Sequence, residues 1–157
     1  MRTSLPDPVI FESNGLTCRI EMIPGKWFAC VAIPKEHPLY RRRRDVEVAI
    51  PHTLAGRNVD HTRVAWADVG GVAKLPAVLE AGVSVPASIL LDCPGGIMFT
   101  GMLSDFSGKW WIGFMTPPDT SQDEVRTELV SFAQIIDALA DVVVTGGPAA
   151  YPELPTV

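Results

Sequence analysis

"LTCRIEMIPGKWFACVAI", residues 16–33, is the stretch that decides the fold. Leu16, Cys18, Ile20 and Met22 alternate with Thr17, Arg19 and Glu21. A period of two puts apolar side chains on one face of a strand and polar ones on the other. Pro24-Gly25 follows in the order a type II turn requires, a fixed negative φ and then a positive one. Residues 27–33, "WFACVAI", are apolar on both faces, as a strand interior to a sheet must be. The stretch therefore reads as an antiparallel hairpin. If the turn has two residues, Ile23 opposes Lys26, Cys18 opposes Val31 and Cys30 opposes Arg19. The two thiols then point to opposite faces, out of disulfide reach. A longer turn would change that parity. With Cys93 the chain has three cysteines, an odd count without a spacing pattern, so three free thiols are expected.

Outward from the hairpin, "PKEHPLYRRRRD" (34–45) carries two prolines and a run of arginines and reads as an exposed connection. "VEVAI" (46–50) alternates as a short strand would. From Pro51 to Pro86 no pattern holds, and either an elaborated loop region or strands without a visible period are expected there, beside a short helix over 72–82 interrupted by Pro76. "ASILLD" (87–92), "GIMFTGML" (96–103) and "KWWIGFM" (109–115) read as strands of a meander, the "CPGG" joint falling in the middle of the sheet. Gly95, Gly96 and Gly108 supply turn conformations. At the C-terminus, Ser121 and Glu124 form a capping box. Val125, Leu129, Phe132, Ile136, Leu139 and Val143 then recur at helical spacing, until Gly146-Gly147 ends the run. The expected fold class is α+β: an antiparallel sheet of four to six strands with one long C-terminal helix packed on it. Residues 1–147 form one domain, and 148–157 a flexible proline-rich tail.

Composition narrows the function. The chain has 157 residues, 47% of them apolar, enough for one domain with a substantial core. Its formal charge of −5 argues against nucleic-acid binding through the whole surface. The carboxylates are scattered rather than arrayed in rows, so nothing mimics a polyanion. The most apolar stretch, Val72 to Leu91, is broken by Lys74, Glu80 and two prolines, short of a membrane span. No apolar signal core opens the chain, and a cytoplasmic location is expected.

Four groups of residues are candidates for chemistry. His37, His52 and His61, near Asp60 and Asp68, match no metal-ligand spacing, and no metal or cofactor is expected. Cys93 precedes Pro94, Gly95 and Gly96, where backbone N–H groups can hold an oxyanion, and His37 is the candidate base for a cysteine nucleophile. A buried thiol beside a tight turn is the simpler reading. Arg41, Arg42, Arg43 and Arg44 can converge on phosphate or carboxylate, although such runs more often form a solvated loop paired with neighbours such as Asp45 and Glu47. Trp110 and Trp111 fall on opposite faces of one strand. One packs beneath the helix, and the other needs a second layer, a ligand or a partner.

Three of these segments, "GKWFACVAIPKEHPLY", "GGIMFTG" and "KWWIGFM", carry a resemblance. In that order, before a helix with an acidic start, they are similar to a set of small uncharacterised proteins of bacteriophages and prophages. That pattern has V-P-x-x-H-P-x-Y, V-H-G-G-[LI]-T-[FY]-S-G and W-W-F-G-F-D segments, then C-A-H-x-G-D. His37, Pro38, Tyr40, Gly95, Gly96, Thr100, Gly101, Trp110, Trp111, Gly113 and Phe114 match it. Cys93-Pro94 stands where the pattern has histidine before the glycines, and Met115 to Pro118 replaces its second polar segment. The resemblance carries no activity with it, but binding survives the loss of such polar groups more readily than catalysis, so a non-enzymatic phage-type accessory protein of the host cytoplasm is expected, countering a host defence or redirecting a host process. The expected partner is a small anionic, nucleotide-like ligand at His37, Tyr40, Arg41–Arg44, Gly95, Gly96, Thr100, Trp110 and Trp111, or else a host protein. A homodimer is compatible with both. A small hydrolase using Cys93 and His37 is the alternative.

Overall fold

The computed structural model describes residues 7–43, 45–60, 63, 76–102 and 109–146. The Pro24-Gly25 turn sets the register that parity requires: Ile23 pairs with Lys26, Cys18 with Val31 and Cys30 with Arg19. All three cysteines are free and buried. The hairpin consists of β2 (Leu16–Ile23) and β3 (Lys26–Ile33), and β1 (Val9–Ser13) adds to β2 in front of it. Asn14 and Gly15 join β1 to β2 with φ of 54° and 75°. Two positive φ values in succession are what a two-residue hairpin turn of matching twist demands.

The remaining elements are β4 (Glu47–Ala49), a 3-10 turn (His52–Leu54), β5 (Ser84–Pro86), α1 (Ala87–Leu90), β6 (Phe99–Met102), β7 (Trp110–Thr116), α2 (Gln122–Ala138) and β8 (Val144–Gly146). Among the described residues the strands form two antiparallel sheets rather than one. Five strands run in the order β1-β2-β3-β7-β6, and three in the order β5-β4-β8. The α+β class stands, and α2 packs on β1, β2 and β3.

Four sequence expectations need correction. Residues 87–92 are not a strand: Ala87–Leu90 form one helical turn, buried on every side. A short apolar run without alternation does not distinguish helix from strand. Here Pro86 precedes the turn, and Ala87 N–H is already bonded to Val46 O. The joint that follows therefore leads from a helical turn to β6, an edge strand and not the middle of the sheet. Over 76–82 there is no helix but an isolated bridge, Asn58 to Val78; residues 72–75 lie outside the described residues, as do Gly108 and 148–157. Finally, α2 ends at Ala138, not at Gly146. The β-branched Val142-Val143-Val144 favours extended backbone, and β8 returns to pair with β4.

Helix α2 opens as the capping box predicts, with Ser121 Oγ accepting from Glu124 N–H at 3.1 Å. Its Val125, Leu129, Phe132, Ala133 and Ile136 are wholly buried, and Phe132 meets Phe114 of β7 edge-on at 5.6 Å. That core takes in residues of both sheets and both helices. The opposite face of the large sheet carries a smaller apolar cluster of Phe28, Cys30, Ala32 and Trp111, with Phe99 edge-on to Phe28. No helix among the described residues is long and apolar enough to cross a membrane.

Candidate functional site

Leaving β3, the chain makes a series of tight turns: His37 N–H bonds Pro34 O, Tyr40 N–H bonds His37 O and Arg42 N–H bonds Leu39 O. His37 is buried, and its Nδ1 accepts from Leu39 N–H at 3.1 Å. Its proton therefore sits on Nε2, which donates to Ile136 O at 2.7 Å. Burial pushes the imidazole below its ordinary range and keeps it neutral. His37 thus pins the 34–41 turns to the last turn of α2, and Leu39 is buried behind it.

The pinned segment presents Tyr40 and Arg41. Arg41 adopts φ of 59°, a left-handed backbone that costs a non-glycine residue roughly 1–2 kcal/mol. Its side chain is buried, with the guanidinium carbon 5.9 Å from the Tyr40 ring centroid and 6.0 Å from that of Trp110. Such stacking favours the cation over both ring faces.

Beside this cluster, at the end of the sheet where β3 finishes and β7 begins, lies a cavity of about 530 Å³. Gly15 of the β1–β2 turn with Leu16 and Thr17 of β2 forms one wall, and Ala32 and Ile33 of β3 another. Lys35, Tyr40 and Lys109 complete it, so both charged residues of its lining are cationic.

Of the residues singled out in the sequence, the structure brings Tyr40, Arg41 and Trp110 together. Of the other arginines, Arg43 lies 3.5 Å from Asp45, Arg42 is half-buried, and Arg44 is outside the described residues. Trp111 lies on the opposite sheet face, 2% exposed, and its indole N–H has no hydrogen-bond partner among the described residues. Both tryptophans are buried, so neither offers an open ring face. Gly95 and Gly96 take φ of 71° and 82°, and Gly96 N–H is bonded to Cys93 O. Thr100 sits half-buried on β6, opposite Ile112.

Cys93 is fully buried, and burial pushes its thiol pKa strongly up. The charges that act on it are Arg63, Asp92 and Glu128, not His37, whose two nitrogens are both engaged. The described residues therefore do not assemble a cysteine–histidine pair. His61 and Asp68 lie outside the described residues, and His52 is exposed.

Sequence reasoning passed over Lys35 and Lys109, which flank strands rather than stand in a motif. It also passed over Arg63, which donates through Nε to Asp92 and through Nη2 to Glu128, the latter at 2.7 Å. These partners are 29 and 65 residues away, beyond any local signal. Comparison of the chain with protein-family models, curated proteins and solved structures returns no match.

Proposed function

We propose that this protein binds a small anionic ligand in the Lys35–Lys109 cavity and acts by holding it. The observation that carries the reading is the lining: among the described residues, two lysines and no carboxylate around a space of about 530 Å³. That size suits a nucleotide-scale ligand. The lysine ammonium groups meet its phosphate or carboxylate, and the Thr17 hydroxyl and Tyr40 phenol are hydrogen-bond donors nearby. Leu16, Ala32 and Ile33 supply apolar wall for the rest of the ligand. Arg41, buried behind Tyr40, adds to the positive field. The resemblance to phage proteins gives such sequestration a purpose, the removal of a host signalling or defence metabolite.

Isothermal titration with AMP, ATP and inorganic phosphate tests this. Binding is expected to weaken with salt and to fall at least tenfold in the Lys35→Ala/Lys109→Ala double variant. Absence of binding by all three anions, or equal binding by the double variant, overturns it. A second reading, a protein partner or second copy on the β6 edge, is favoured by Met98 and Met102, which are exposed there. Native mass spectrometry of the protein from its host separates the two, since it reports retained mass as small molecule or polypeptide.

A further inference from the structure

Glu128, Ser131, Gln134, Ile135 and Ala138 recur every three or four residues and line one flank of α2. Facing them across a cavity of about 440 Å³ are Thr53, Leu54, Arg57, Arg63 and Asp92. This space shares no lining residue with the Lys35–Lys109 cavity. Its charges are two of each sign, unevenly engaged. Arg63 is held by both carboxylates, through Asp92 Oδ1 and Glu128 Oε2. Among the described residues, no ion pair or hydrogen bond engages the Arg57 guanidinium or the second oxygen of either carboxylate.

We propose that this cavity is a second binding site, for a small amphoteric ligand of the free amino-acid class. The ligand's carboxylate pairs with Arg57, and its ammonium group with the outer oxygens of Asp92 and Glu128. Charge balance selects this class. A simple anion that reaches Arg57 also meets two carboxylates, and a simple cation that reaches the carboxylates is opposed by both arginines. A ligand with one group of each sign satisfies both walls. Ser131, Gln134 and Thr53 offer hydroxyl and amide groups to its polar parts, and Leu54 and Ile135, both buried, form an apolar floor.

The test is saturation-transfer NMR on the whole protein with each of the twenty amino acids, followed by titration of the strongest binder. Its N-acetyl form, which lacks the ammonium group, and its carboxamide, which lacks the carboxylate, are expected to bind at least tenfold more weakly. Arg57→Ala should abolish the preference for the free acid over the amide, and Arg57→Lys should restore part of it. Arg57 is exposed, so neither change threatens the fold. The Lys35→Ala/Lys109→Ala variant should bind the amino acid as the parent does, which keeps this test independent of the anion site. The proposal fails if none of the twenty binds at about 10 mM, a concentration that captures even weak sites. It fails equally if both blocked forms bind as well as the free amino acid, or if Arg57→Ala changes nothing.

Discussion

His37 shows how a side chain picked out for chemistry can be architectural. Its ring joins two turns of backbone that are 99 residues apart, and it does so only in the neutral form, because Nδ1 must accept from Leu39 N–H. Asp137, Asp141 and Glu36 favour the imidazolium, but burial outweighs them and the folded pKa lies below 6.5. The unfolded chain therefore binds the proton first on acidification. His37's contribution to stability is complete above pH 6.5 and is lost as the pH falls from there through the folded pKa. Denaturant midpoints measured from about pH 7.5 down to 5 should fall, and less steeply in His37→Asn; parallel profiles would assign the acid sensitivity elsewhere. The sequence shows a histidine among turn residues, not the carbonyl of Ile136 that awaits it. The cysteine pair is the opposite case. Parity from the Pro24-Gly25 turn is a local quantity, so the separation of Cys18 from Cys30 could be read without any structure.

Elements were legible in proportion to their length and to the contrast between their faces. The β2–β3 hairpin and α2 are long, and the Ser121 box marks where the helix begins. Strand β1 escaped because Ile10, 60% exposed, sits on the outer face and blurs the alternation, although Asn14-Gly15 was a hairpin signal in plain view. Strands β5 and β8, three residues each, are too short to show a period, whereas β4 shows one because the alternation runs on through its flanks over 46–50. Gly113, in the middle of β7, is the element's least replaceable residue. A Cβ there would lie 2.4 Å from Ala29 O and 2.7 Å from Cys30 Cβ, both in the adjacent strand. Gly113→Ala must push β7 away from β3 and should cost about 1–3 kcal/mol, as overpacking does. Ser121→Ala removes one exposed cap bond, at about 1 kcal/mol. Urea midpoints should rank the two in that order, and a neutral Gly113→Ala would show that the β3–β7 contact is looser than the geometry requires.

Across the whole molecule the chain ties its parts together out of sequence. Strand β4 pairs on one side with β5 and on the other with β8, so the segment after α2 closes a sheet begun before residue 50. The Trp27 indole donates to Thr120 O at 2.8 Å, fixing the approach to α2 against β3. None of this could be read from residues 51–86, since pairing between distant three-residue strands leaves no local trace. Phe132 belongs to the core these elements share, wholly buried on α2 and edge-on to Phe114 of the large sheet. Because one apolar core spans both sheets and both helices, the described residues should unfold as a unit. Phe132→Ala should then lower stability by roughly 3–5 kcal/mol. Helical circular dichroism reports α2, and tryptophan fluorescence, measured with Trp66→Phe in every protein compared, reports Trp27, Trp110 and Trp111 in the large sheet. In a shared core the two signals must shift by the same amount, in the parent and in the variant alike. If the helical signal is lost first, α2 is a separable layer, and the shared core does not make the molecule one cooperative unit.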